Sequence, residues 1–304
     1  MTSDQDNRRG ALLMMAAMGA FVCNDAMMKV ALADLPIGQT LFLRGVAASL
    51  LTAIIAWQHG GFANRPSVPE ARAIGWRTIG EIGGTGCFMV ALTHLPLADL
   101  TAILQALPLA VTLAAAIFLR EQVGWRRWSA ILVGFSGVLL IVQPGGSTFS
   151  PYAIWALVSV CFITLRDLST RRIAGRVPSA LVAHITAVAV MMLGLVLLPF
   201  QSWEPVAWQH IAALLGAAVF LSIGYLTVVA ATRTGDIGFV APYRYTGLVW
   251  AILLGVVFFA EMPSVFMLAG SAIIVGAGLY AFWRERRLRN QMRKRAANQP
   301  APLP

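Results

Sequence analysis

Long apolar runs follow one another from end to end of this chain, and only every second gap between them carries positive charge. A helix needs about 20 apolar residues to cross a bilayer core. On that scale the spacing predicts ten spans, over residues 11–32, 37–57, 76–94, 98–119, 127–143, 151–169, 178–199, 208–231, 237–259 and 264–283. Of the 23 Lys and Arg residues, all but Lys29, Arg44 and Arg244 fall in alternate gaps. Those gaps hold Arg8 and Arg9, then Arg65, Arg72 and Arg77, then Arg120, Arg126 and Arg127. Arg166, Arg171, Arg172 and Arg176 follow, then Arg233, and finally the tail from Arg284 to Arg295. The gaps near Asp34, His94, Gly145, Glu204 and Glu261 contain no cation. Cytoplasmic loops collect Lys and Arg, so both chain ends are expected in the cytoplasm, with the protein in a bacterial inner membrane.

Composition agrees: apolar residues make up 58% of the chain and charged residues only 12%, against roughly 25% charged in soluble domains. The net charge of +10 is not a nucleic-acid footprint, because the cations sit in short loops and a tail on one side of a bilayer. Membrane lipid is the partner that placement implies, and the basic tail can attract anionic headgroups. The first apolar run is too long for a signal-peptide core and reads as a span anchored by Arg8 and Arg9. Cys23, Cys87 and Cys161 lie in apolar runs without paired or metal-ligand spacing, which predicts buried thiols and no metal site.

The Pro/Gly/Ser stretch from Gln143 to Pro151 divides the spans five and five. An odd number per half turns the halves in opposite directions, the inverted-repeat plan of many secondary transporters. Residue offsets agree with a duplication. Glu121 and Glu261 close spans 4 and 9 (261 − 121 = 140), and Arg44 and His184 share that offset (184 − 44 = 140). Cys23 and Cys161 differ by 138, and Pro36 and Pro178 by 142. The predicted fold is therefore all-α, with ten transmembrane helices as two inverted five-helix repeats. The repeats occupy residues 10–143 and 151–283, and a basic cytoplasmic tail covers 284–304. Glu121 is expected to face the cytoplasm and Glu261 the opposite side. Small residues supply packing surfaces in lipid: Gly80 and Gly84 in span 3, and Gly134, Gly137, Gly270, Gly276 and Gly278 in spans 5 and 10. Those last two spans hold few ionisable groups and read as scaffold or homodimer contact.

An ionisable side chain at bilayer depth must be paired or wetted. Asp25 in span 1 and Arg44 in span 2 lie at matching depth and are expected to pair. Lys29 stands one turn above Asp25, near enough to the interface to snorkel. Glu81 in span 3 and Arg244 in span 9 also match in depth, and are expected to face one another or share a substrate across a central cavity. Arg244→Ala is accordingly expected to abolish flux. Gln105 in span 4, His184 in span 7 and Tyr243 beside Arg244 complete the candidate cavity. Lys29, Glu121 and Glu261 are expected to be structural, and Asp99 to cap span 4. The stretch Ala241-Pro242-Tyr243-Arg244-Tyr245 interrupts span 9, since Pro242 removes a backbone donor. Trp250 is the one mid-span tryptophan and reads as core- or lipid-facing.

At these residues the chain resembles the drug/metabolite transporter superfamily, EamA type. In the first half the resemblance rests on Asn24-Asp25 with Lys29, Pro36, Gln39, Phe42-Leu43-Arg44, Leu97-Ala98-Asp99, Pro108, Glu121, and Gly134 with Gly137. In the second half it rests on Gly235-Asp236, Ala241 to Tyr245, Glu261 with Pro263, and Gly270 with Gly276. It implies a cavity lined mainly by spans 1, 3, 4, 6, 8 and 9, working by alternating access. Cargoes it implies are amino acids, vitamins such as riboflavin, or nucleoside-like metabolites such as S-adenosylmethionine. Broad-specificity export of drugs or toxic metabolites is the alternative within the class. Protons are a candidate coupling ion, at Glu81 or Asp25. No Walker motif, H-E-x-x-H or G-x-S-x-G is present, so ATP drive and intramembrane hydrolysis are disfavoured and no cofactor is implied. Saturable, counterflow-competent flux would separate a carrier from a channel.

Overall fold

The computed structural model describes residues 4–58, 66–121, 124–146, 149–173 and 177–297. Arg65 and Arg176, counted above among the gap cations, lie outside that set, as do residues 298–304 of the tail. All regular structure among the described residues is helical. Five helices precede the Gly/Pro break after Val142, the fourth of them in two pieces: α1 (Asp4–Leu32), α2 (Ile37–Gln58), α3 (Val68–His94), α4 (Leu97–Leu104) with α5 (Leu107–Phe118), and α6 (Trp125–Val142). After it come α7 (Tyr152–Thr170), α8 (Ser179–Leu197), α9 (Trp208–Thr234), α10 (Ile237–Val240), a 3₁₀ turn at Ala241–Tyr245, α11 (Thr246–Phe259) and α12 (Val265–Ala297). Among the described residues, nine of the ten spans are long and apolar enough to cross a membrane. The remaining one, α3, has 27 residues and is diluted by Glu70, Arg72, Arg77 and Glu81.

The helices overrun the apolar runs at the basic end of the bundle. α1 begins at Asp4, α3 at Val68, and α12 continues to Ala297, so the expected tail is largely helix. Arg8, Arg9, Arg72 and Arg77 are helical rather than loop residues. Apolarity marks the hydrocarbon-thick part of a helix, whereas hydrogen bonding carries the helix on into the headgroup region.

Spans 4 and 9 are discontinuous, and their breaks fall in register. The first is interrupted at Gln105–Ala106 and the second ends its 3₁₀ turn at Tyr245, an offset of 140 (245 − 105). The prolines responsible do not align. Pro108 sits in the first turn of α5, where a missing N–H costs least, and Pro242 sits inside the 3₁₀ turn. The two spans also end alike. Arg120 and Ala260 both adopt left-handed backbone, each at φ 53°. The next N–H then returns to the carbonyl six residues back, Glu121 to Ala115 at 3.3 Å and Glu261 to Gly255 at 3.0 Å. The return is one residue longer than the 6→1 bond of a Schellman motif and likewise satisfies a carbonyl of the last turn.

Helices pair across the two halves: α1 with α9, α2 with α8, α3 with α7, α6 with α12, and α4 with α11. Three of these pairings bring glycine against backbone, α2 with α8 among them, where a Cβ on Gly45 would stand 2.7 Å from the Met191 Cα. A Cβ on Gly80 would stand 2.7 Å from the Arg166 nitrogen and the Phe162 carbonyl oxygen of α7. Gly137 and Gly270 meet reciprocally, with a Cβ on either falling 2.7 or 2.5 Å from the other's carbonyl oxygen. Gly276, by contrast, has open space beside it.

Core packing differs between the two ends of the bundle. At the cation-poor end a large core joins Met28 and Leu32 of α1, Leu41 of α2, Leu92 of α3, Leu97 and Leu100 of α4, Ala156 of α7 and Leu214 of α9, with a small separate cluster of Ala98, Ala102, Leu248 and Met267 beside it. Polar ties close the same end. His210 Nε2 lies 3.0 Å from Asp34 Oδ2, and the Gln39 amide makes two hydrogen bonds, of 2.8 and 2.9 Å, with the Glu204 backbone. At the basic end the core splits into three separate clusters. Met14 packs with Ala231 and Val240, Ile74 with Val177 and Val182, and Leu109 with Ile131 and Ala277. The bundle is thus closed by a large core at one end and divided into small clusters at the other.

Candidate functional site

Below the seal, helices α1, α2, α3, α7 and α9 turn charged and polar side chains toward one another. Arg44 of α2 stands within electrostatic range of Asp25, Tyr225 and Glu81. Asn24 Nδ2 donates to Asp25 Oδ1 at 2.8 Å. The Glu81 carboxylate faces Arg166 of α7, with Nη1–Oε2 at 3.5 Å, and Arg166 also holds Asp167 Oδ1 at 2.9 Å through Nε and Nη2. Tyr225 of α9 is 48% exposed although Arg44, Glu81, Arg77 and Arg166 all act on its hydroxyl. The Gly80 contact sets this geometry, because α3 and α7 touch backbone to backbone one residue from Glu81 and at Arg166 itself.

The remaining expected site residues distribute as follows. Gln105 caps α4 at the break, its amide 3.4 Å from where a Cβ on Gly247 would lie, so the discontinuities of spans 4 and 9 abut. His184 Nδ1 lies 3.3 Å from Thr52 Oγ1, joining α8 to α2. Tyr243 packs in the apolar cluster of Met14, Ala231 and Val240, with its ring 5.8 Å from Phe239. Arg244 is exposed on the 3₁₀ turn. Glu81 pairs with Arg166 instead of Arg244. The matched depths assumed straight spans, whereas the 3₁₀ turn rotates Arg244 away and the Gly80 contact brings α7 in. Burying Arg244 in lipid would be costly, so its exposure fits a water-accessible flank. Trp250 rests on Gly19 and donates its ring N–H to the Met15 carbonyl at 3.2 Å.

Lys29 does not snorkel. Its ammonium bonds Glu261 Oε1 at 2.5 Å and the Leu95 carbonyl at 2.6 Å, with the two charged side chains only 14% and 18% exposed. Glu261 Oε2 in turn accepts the Leu97 N–H at 2.7 Å, at the first turn of α4. The capping role expected of Asp99 therefore falls to Glu261, because the cap position is Pro96 and Asp99 lies three residues inside the helix. At the basic end Arg171 Nη1 and Glu121 Oε1 stand 3.5 Å apart, each side chain about half exposed.

Arg166 and Tyr225 are the residues that sequence reasoning missed. Arg166 is close enough to the end of its run to count as a gap cation. Tyr225 is a lone phenol in an apolar stretch, and that was the available signal.

Residues 8–143 match the EamA-like transporter family. The first half of the chain is thus similar to EamA-type transporters of the drug/metabolite transporter superfamily. The chain is 29% identical to the pseudopaline exporter CntI of Pseudomonas aeruginosa over 89% of its length and 94% of that protein's. It is 27% identical to the riboflavin transporter of Rhizobium johnstonii, covering 84% of this chain and 91% of that one. It is 24% identical to the S-adenosylmethionine uptake transporter of Rickettsia felis, over 87% and 89%. A crystal structure at 21% identity shares the fold, with a TM-score of 0.63 over 92% of this chain and 98% of the other. Its apolar helices make the protein an integral membrane protein, and the family and relatives it resembles carry the names of transporters, not enzymes.

Proposed function

We propose that this protein moves a small organic metabolite by alternating access, with the cargo held at Asp25, Arg44, Glu81 and Arg166. The carrying observation is the unequal packing of the two ends: a large core with one small satellite above these charges, three small separate clusters below. The aligned breaks of spans 4 and 9 support two five-span repeats in opposite orientation, 10–143 and 151–283, since discontinuous helices at the repeat interface commonly form transporter sites. The matching φ 53° helix ends support the same reading. With the basic end in the cytoplasm, this conformation is open inward. Tyr225 and Arg244 flank the opening, and Gln105 stands at the paired breaks.

The site presents charge of both signs, two guanidiniums beside two carboxylates, and suits a cargo carrying both an anionic and a cationic group. Relatives named for pseudopaline and S-adenosylmethionine are consistent with a metabolite of that size class. Counterflow in proteoliposomes, with a panel of zwitterionic, anionic and neutral metabolites, tests the proposal. Saturable exchange of a zwitterion is the expected result. Exchange that never saturates, or no exchange by any member, defeats it.

A further inference from the structure

We propose that the ion pairs Lys29–Glu261 and Arg171–Glu121 are the two latches of the transport cycle, one at each end, closing in alternation. The inference rests on the alternating-access reading above. Its basis is a correspondence between two contacts of opposite condition. Glu121 and Glu261 occupy the same local motif, after a residue at φ 53° and with the same N–H return. Their partners both sit at the far end of a repeat's first span, Lys29 near the end of α1 and Arg171 just after α7. The partners are offset by 142 (171 − 29), as are Pro36 and Pro178.

The contacts differ in state. At the sealed end the ammonium and carboxylate touch at 2.5 Å and are largely buried, each with a further backbone partner at Leu95 or Leu97. At the divided end the groups stand 3.5 Å apart with about half of each side chain in the open. An exposed pair contributes little, and a buried pair contributes only where its remaining hydrogen-bonding capacity is met. Closing the basic end would desolvate Arg171 and Glu121 and draw them together, while opening the other end would wet Lys29 and Glu261. The two states then exchange one formed latch for another, which keeps them close in free energy and lets a modest differential affinity for cargo shift the population.

The test uses the full-length protein with Cys23, Cys87 and Cys161 replaced by Ser, and a single reporter, Leu100→Cys, in the sealed core. A membrane-impermeant maleimide is applied from the cation-poor side. Without substrate the parent should label slowly. Glu261→Gln, whose amide oxygen can still accept the Leu97 N–H, should label faster by on the order of tenfold. Arg171→Gln, at an exposed position with little folding risk, should stay slow even when substrate accelerates the parent. As a second arm, Glu121→Cys with Arg171→Cys, bridged by a short bis-maleimide, should lose counterflow while the unbridged pair keeps at least part of it. Unchanged labelling in both Gln variants, with a substrate response preserved, overturns the latches and leaves alternating access standing. Labelling that never responds to substrate from either side overturns alternating access itself.

Discussion

Glu81 and Arg166 meet because Gly80 has no side chain. The glycine lets α3 lie directly on the α7 backbone, and the carboxylate and guanidinium beside that contact come within 3.5 Å. A charge-assisted contact of this kind is worth about 1.5–3 kcal/mol. If cargo uses it, Glu81→Gln and Arg166→Gln should each slow counterflow about ten- to a hundredfold. Purified variants with normal gel-filtration profiles and parental exchange rates would remove both residues from the site. Arg244→Ala is expected to lower exchange while leaving thermal stability unchanged, since its guanidinium is exposed. A fall in melting temperature instead would make it structural. The intramembrane ions Asp25, Arg44, Glu81 and Arg244 were readable in the sequence, because a charge in an apolar run always needs a reason. The proximity of Asp25 and Arg44 was readable too, but Arg166 as the partner of Glu81 was not, because depth along a helix says nothing about rotation around it.

At the scale of elements, glycines separate into those that set a helix distance and those that do not. Gly80→Ala and Gly137→Ala both force a methyl group against backbone atoms under 3 Å away. Overpacking of that kind costs about 1–3 kcal/mol. Both should lower the apparent melting midpoint in detergent by several degrees, and Gly276→Ala, with open space at its Cβ, should not. An equal effect at all three sites would mean that close backbone approach is not what these glycines provide. Glycine content marked these faces in the sequence without distinguishing among them. Span 9 was legible as interrupted, from Pro242. The interruption of span 4 at Gln105–Ala106 was not, because Pro108, mid-span in the expected 98–119 helix, does not mark where the chain breaks and lies past the break at the start of the next piece. The two breaks coincide in register although their prolines do not, so the feature in common is the site of interruption rather than the residue that causes it.

For the whole molecule, orientation and accessibility are the testable quantities. Cysteines placed at Gly124 and at Arg233 should react only from the cytoplasmic side, and ones at Asp34 or His94 only from the other. Reaction of all four from one side would reject both the ten-span topology and the positive-inside assignment. The sequence by itself determined that this is a ten-span helical membrane protein with a basic and a cation-poor end. Hydrocarbon thickness sets run length, and the cost of burying charge sets where the cations lie, and both act on the chain one segment at a time. Which helices touch was settled only in three dimensions, and with it Arg166 as the partner of Glu81, Lys29 as the partner of Glu261, and which end is sealed. Those outcomes depend on close packing between helices far apart in sequence, where a single absent methyl group decides how near two backbones can come.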